Sequence, residues 1–147
     1  MRKLRLVAVL ISTLVVLDAR STICFEQKLA HVRHIRGVVV IDVEGDRCPL
    51  AGVKIHLQRG KFQRQTTSDA DGYFAFGKLP PGSYALNFNL DGLQGIKGVT
   101  VVVAKNPAAE HVVLAQLSLS SFDCGGSVSL ATPDEVRHIQ RDSACQQ

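Results

Sequence analysis

Pro80-Pro81-Gly82-Ser83-Tyr84-Ala85-Leu86-Asn87-Phe88-Asn89-Leu90 is a turn that feeds a strand. Pro81 fixes φ and Gly82 releases it, so the chain reverses there. Tyr84, Leu86, Phe88 and Leu90 then alternate with Ala85, Asn87 and Asn89, a period of two that places one face in a core and the other in water. Upstream, Val53, Ile55 and Leu57 alternate with Lys54, His56 and Gln58 in the same way. The run Val38 to Ile41, the stretch Lys61 to Thr67, the pair Phe74 and Phe76, Val99 to Val103 and Val112 to Leu114 bring the expected strands to seven.

Gly45-Asp46, Arg59-Gly60, Asp71-Gly72, Asp91-Gly92 and Asn106-Pro107 also fall between apolar runs, at the intervals of a small sandwich. Parallel βαβ units need about a dozen residues of crossover, and no connection here has that length or helical period. The expectation is an all-β, seven-stranded antiparallel sandwich, and a Rossmann-type cofactor fold is excluded.

The 147 residues are 46% hydrophobic and 20% charged, which suits one globular domain with appendages and not a disordered chain. Arg2, Lys3 and Arg5 precede the apolar stretch Leu6 to Leu17, and Ala19 and Ser21 follow, the layout of a secretory signal peptide over residues 1–21. That stretch of 12 residues, interrupted only by Ser12 and Thr13, spans roughly 18 Å as a helix, short of a hydrocarbon core of about 30 Å, so no stable membrane span is expected after removal of the leader. The net charge of +4 resides mostly in this leader: without it 13 basic residues face 12 acidic ones. Nucleic acid is therefore not an expected partner. A secreted or periplasmic location is.

Export makes disulfides the natural reading of Cys24, Cys48, Cys124 and Cys145, which contain no Cys-x-x-Cys and no zinc spacing with the five histidines. Three pairings are possible, and the reading leans to Cys124 with Cys145 and Cys24 with Cys48. Lipid attachment at Cys24 is the rival for that residue. Two appendages flank the sandwich of residues 34–117. In residues 22–33, Phe25, Leu29 and Val32 suit one face of a short helix. In residues 118–147, Thr132-Pro133-Asp134-Glu135 is a capping box with Pro at the first helical position, predicting a short helix to about Arg141 with Val136 and Ile139 inward.

Four motifs in order carry a family resemblance: Gly37-Val38-Val39, Pro49-Leu50-Ala51-Gly52-Val53, Thr67-Ser68-Asp69-Ala70-Asp71-Gly72-Tyr73-Phe74 and Leu79-Pro80-Pro81-Gly82-Ser83-Tyr84-Ala85-Leu86. Gly37 to Leu117 resembles the carboxypeptidase regulatory-like domain, an accessory module of the transthyretin-like (prealbumin-like), Ig-like β-sandwich group. The resemblance implies that fold and a structural or binding role. The motifs also have a physical reading as folding devices. Asp69, Asp71 and Gly72 build a tight turn, whereas Pro81, Gly82 and Tyr84 fix another, the Tyr84 hydroxyl being available to tie down a loop.

Reactive constellations are not legible. There is no Gly-x-Ser-x-Gly elbow, His-Glu-x-x-His or phosphate loop. The chain also lacks the His-x-x-Glu of the zinc domains that accompany this module in carboxypeptidases, and the Tyr-Arg-Gly-Ser ending of hydroxyisourate hydrolases. Ile35 to Asp42 holds no Lys for the Lys–Asn crosslink of adhesin repeats. Asp69-Ala70-Asp71-Gly72 starts like a calcium loop but continues without the closing Glu, and His31 and His34 find no third ligand beside them. No catalytic residue, cofactor or metal site is expected. Phe62, Tyr73 and Phe122 are candidate exposed platforms for a sugar ring, with Asn87, Asn89, Gln63 and Gln65 as polar contacts on a wet sheet face. The expectation is an exported, non-enzymatic accessory module with a structural or protein-interaction role, its partner another extracytoplasmic protein or a glycan. A carbohydrate-binding module is second and a small hydrolase third.

Overall fold

The structure, a computed structural model, describes residues 28–119, 126–141 and 145. The expected leader, residues 1–21, and the residues Cys24, Phe25, Phe122 and Cys124 lie outside them. The described residues form ten strands and a helix: β1 (Lys28–Val32), β2 (Arg36–Val43), β3 (Asp46–Pro49), β4 (Lys54–Arg59), β5 (Phe62–Thr67), β6 (Tyr73–Ala75), β7 (Gly82–Asn89), β8 (Ile96–Val103), β9 (Val112–Leu117), β10 (Gly126–Ala131) and α1 (Pro133–Arg141). One sheet runs β1-β8-β7-β4-β5 and the other β10-β9-β2-β3. β6 also pairs with β2, along the half that β3 leaves free.

The count of seven strands is corrected to ten. β1, β3 and β10 were not legible because each is held by its neighbour more than by its own pattern. Leu29 and Val32 sit in a strand and not in the expected helix, since β1 pairs in parallel with Thr100 to Val103 of β8 and gains a ladder there. The expectation of purely antiparallel sheets is corrected too. β2 lies parallel to β9 in the register Gly37↔Val113 to Ile41↔Leu117. The crossover argument excludes only parallel neighbours that are consecutive in sequence, and here the chain passes through the other sheet in between.

The interior draws Val39, Ile55, Leu57, Phe74, Leu86, Phe88, Val99, Val101, Val113 and Ala115 from both sheets. Phe74 meets Phe88 edge-on, with ring centres 5.7 Å apart. Full burial of one such side chain contributes about 1.5–3 kcal/mol, so this layer outweighs any single crosslink.

A second, smaller core explains why Val38 to Ile41 is apolar without alternation. Val39 faces the sandwich, while Val38 and Val40 face outward and join Val112, Leu114 and Ala131 beneath Val136 of α1. Ile139 packs against the same group. The helix starts at the expected capping box: the Glu135 amide donates to Thr132 Oγ1 (3.2 Å) and the Thr132 amide to Glu135 Oε2 (2.8 Å). That backbone bond, and then the Thr132 hydroxyl, hold the Glu135 carboxyl below its ordinary pKa, with weaker help from Arg47 and His111.

Cys48 of β3 is bonded to Cys145 just past α1, their Cα atoms 5.6 Å apart. This corrects both favoured pairings, Cys24 with Cys48 and Cys124 with Cys145. Because α1 lies on the sheet that contains β3, the end of the chain returns to Cys48 and not to the segment before β10.

Candidate functional site

The two sheets differ in what covers them. The outer face of the β2–β9 sheet carries α1, whereas nothing among the described residues covers the outer face of the β1–β5 sheet. Register fixes which side chains share that bare face, because directly paired residues point the same way. Lys54, His56 and Gln58 of β4 are opposite Thr67, Gln65 and Gln63 of β5, and opposite Asn89, Asn87 and Ala85 of β7. The four amides singled out from the sequence are thereby brought onto one face. Asn87 is partly occupied, its Oδ1 accepting the Gly98 amide at 2.9 Å.

At the margin of this face β5 is the outermost strand, joined to β4 by the Gly60-Lys61 turn. Tyr84 anchors the neighbouring corner, donating its hydroxyl to the Pro80 carbonyl at 2.6 Å. Arg59 lies over the Tyr84 ring and donates to the Pro81 carbonyl at 3.0 Å. Phe62 stands edge-on to Tyr84, and the Arg64 guanidinium sits 5.2 Å from its ring centre. From residue 54 to residue 68 there are four Lys and Arg and no Asp or Glu. With 13 basic and 12 acidic residues over positions 22–147, this basic hairpin is concentrated. Arg59 and Arg64 were missed as site residues, and the run without acids was the signal for them.

The aromatic platforms are not brought together. Phe62 (38% exposed) belongs to β5, whereas Tyr73 (37% exposed) belongs to β6 of the other sheet and pairs with Val38 on the face that α1 occupies. Phe122 is outside the described residues. The Asp69 carboxylate is engaged by its own loop, accepting the amides of Asp71 (3.0 Å) and Tyr73 (2.8 Å), while the Gly72 amide bonds to the Asp69 carbonyl. Next to it, the buried Ser68 hydroxyl accepts from the Val53 amide and donates to the Leu50 carbonyl, a link the sequence did not reveal.

Two grooves flank Pro107-Ala108-Ala109. One, about 540 Å³, is lined by His31 and His111; the other, about 400 Å³, by Arg33, His34 and Arg36, the last paired with Glu110. His31 and His34 therefore open into different grooves. Among the described residues no three His, Cys, Asp or Glu side chains are grouped to hold a metal ion. No described helix is long and apolar enough to cross a membrane.

No curated protein matches the chain. Among solved structures it is similar to 5-hydroxyisourate hydrolase from Klebsiella pneumoniae, at 15% identity over 67% of this chain and 99% of that one, with a TM-score of 0.49. It is also similar to an (S)-allantoin synthase, at 16% identity over 69% of this chain and 46% of the other, with a TM-score of 0.39. Both are named as enzymes, which corrects the expectation of a non-enzymatic chain. Residues 34–115 match the carboxypeptidase regulatory-like domain, and with more than half of its length so matched, the chain belongs to the carboxypeptidase regulatory-like domain family.

Proposed function

We propose that the chain is an extracytoplasmic interaction module that docks another protein on the outer face of the β1–β5 sheet. The observation that carries this reading is the asymmetry of the two faces, one covered by α1 and stapled by Cys48–Cys145, the other bare among the described residues. The leader pattern and the disulfide both support a location outside the cytoplasm. Strands about 4.8 Å apart, each rising about 3.3 Å per residue, make a five-stranded face roughly 20 Å on a side. That is about half of the roughly 800 Å² that a standard interface takes from each partner, so docking must draw on the margin as well.

Site-specific photo-crosslinking in the producing cell tests the reading. A crosslinker at Asn89 or Gln65 is expected to give one discrete adduct, and one at Arg137 on the exposed side of α1 none. Equal adducts from all three positions, or none from the sheet, overturn it.

Glycan binding is the second reading, favoured by Gln63, Gln65 and Asn89 lying on one face. Against it, the Phe62 ring that would stack on a sugar already holds the Arg64 guanidinium. Oligosaccharide binding that is lost in both Asn89→Ala and Phe62→Ala selects this reading over the first.

A further inference from the structure

We infer that the β5 edge takes up an acidic, extended segment of the partner as an added strand, a mode that rests on the docking reading above. Antiparallel pairing alternates between residues that exchange backbone bonds and residues that do not, and the pair flanking a two-residue turn exchanges them. Arg59↔Phe62 is that pair, followed by Leu57↔Arg64 and Ile55↔Thr66. The amides and carbonyls of Gln63 and Gln65 consequently point away from β4. Among the described residues no strand pairs with β5 on that side. A short open ladder of backbone donors and acceptors is what strand addition needs.

Charge selects the occupant. Lys54, Arg59, Lys61 and Arg64 lie on or beside this hairpin with no acidic residue until Asp69. A second copy of this chain is disfavoured, because antiparallel β5 strands paired about their middle would bring the Arg64 side chains of both copies together, and like charges across a pair repel. Basic side chains on an edge deter indiscriminate pairing. The same side chains attract a strand carrying Asp or Glu. Phe62 and Arg64, two residues apart, face the same way, so the added strand should place an acid beside Arg64 and an apolar or threonine side chain beside Phe62.

The test uses the full chain after leader removal and two blocked eight-residue peptides, one alternating Thr with Glu and one alternating Thr with Lys. Titration is expected to show the Glu peptide binding at least about tenfold more tightly than the Lys peptide, with slowed hydrogen exchange at the amides of Gln63 and Gln65. Gln65→Pro is expected to abolish binding and leave the fold intact, because proline is tolerated on an edge where its missing N–H faces solvent. Arg64→Glu, which alters no backbone group, is expected to reverse the peptide preference and keeps the test decisive if the proline variant misfolds. Glu-peptide binding that survives in folded Gln65→Pro, or heparin binding with the same pattern, means a general polyanion patch and overturns the inference. Failure of the peptide while Asn89 still crosslinks a partner refutes strand addition alone; loss of the crosslinks refutes the docking reading itself.

Discussion

Cys48 and Cys145 are bonded although 97 positions separate them in sequence, and the bond ties the edge of one sheet to the end of the helix that covers it. Closing so long a loop restricts the unfolded chain, and natural disulfides of this kind contribute about 2–4 kcal/mol. The variant Cys145→Ala with Cys48→Ala is therefore expected to lose about that much stability in denaturant unfolding. Nonreducing peptide mapping should recover the 48–145 peptide pair from the native protein. Recovery of a 24–48 or 124–145 pair would refute this connectivity.

Tyr84→Phe removes a buried hydroxyl whose partner, the Pro80 carbonyl, belongs to the turn just before the strand. The expected cost is about 1 kcal/mol, the usual net value of one hydrogen bond, because the ring and its packing remain. Arg59 bonds the next carbonyl, at Pro81, and also donates to the Tyr84 hydroxyl at 3.4 Å. Because that bond is lost in either single variant, a double variant with Arg59→Ala should cost less than the sum of the two single ones. Strict additivity in equilibrium unfolding would show that the two groups hold the corner independently.

What the sequence made legible was whatever its own period encodes. Ile55-Leu57 and Tyr84-Leu86-Phe88 alternate because each strand has one wet face, and the Thr132 to Glu135 box is local by nature. The Val38 to Ile41 run was visible as a strand, but its lack of alternation also signalled cover on both faces, which only α1 explains. Gly126 to Ala131 was not among the expected strands, since its ladder depends on Val112 to Leu117 of β9. The co-facial amides were legible as wet positions. Their bare surroundings, and the stacking of Arg64 on Phe62, depend on which sheet the helix chose and on a hairpin register that no spacing fixes.

Gly37 faces the interior where β2 and β9 run side by side, and a Cβ there would lie 1.8 Å from the Val113 carbonyl oxygen. Backbone cannot give way as a side chain can, so Gly37→Ala must part the two strands, with an expected loss of about 3 kcal/mol. At Gly77 a Cβ would meet nothing nearer than the Arg64 guanidinium at 3.9 Å. Gly77→Ala is expected to be neutral, or stabilising by up to about 1 kcal/mol, because it restricts the unfolded chain. Thermal unfolding of the two variants side by side checks the contrast, and equal effects would contradict the close approach of β2 to β9.

The helix cap should also be readable as a pH dependence. Glu135 has its pKa lowered in the folded chain, first by the Thr132 amide and then by the Thr132 hydroxyl. For a carboxyl shifted in that direction, the folded state binds its proton less readily than the unfolded state does. Its contribution is thus full above the unfolded value and disappears as pH falls through the folded one. Glu135→Gln keeps a carbonyl acceptor for the Thr132 amide but has no charge to titrate. The native chain should accordingly be the more stable of the two at neutral pH, and its advantage should shrink through the acidic carboxylate range until the two denaturation midpoints coincide. Parallel stability curves across that range would mean that Glu135 caps α1 by shape alone, and that its charge contributes nothing to holding the helix over Val38 and Val40.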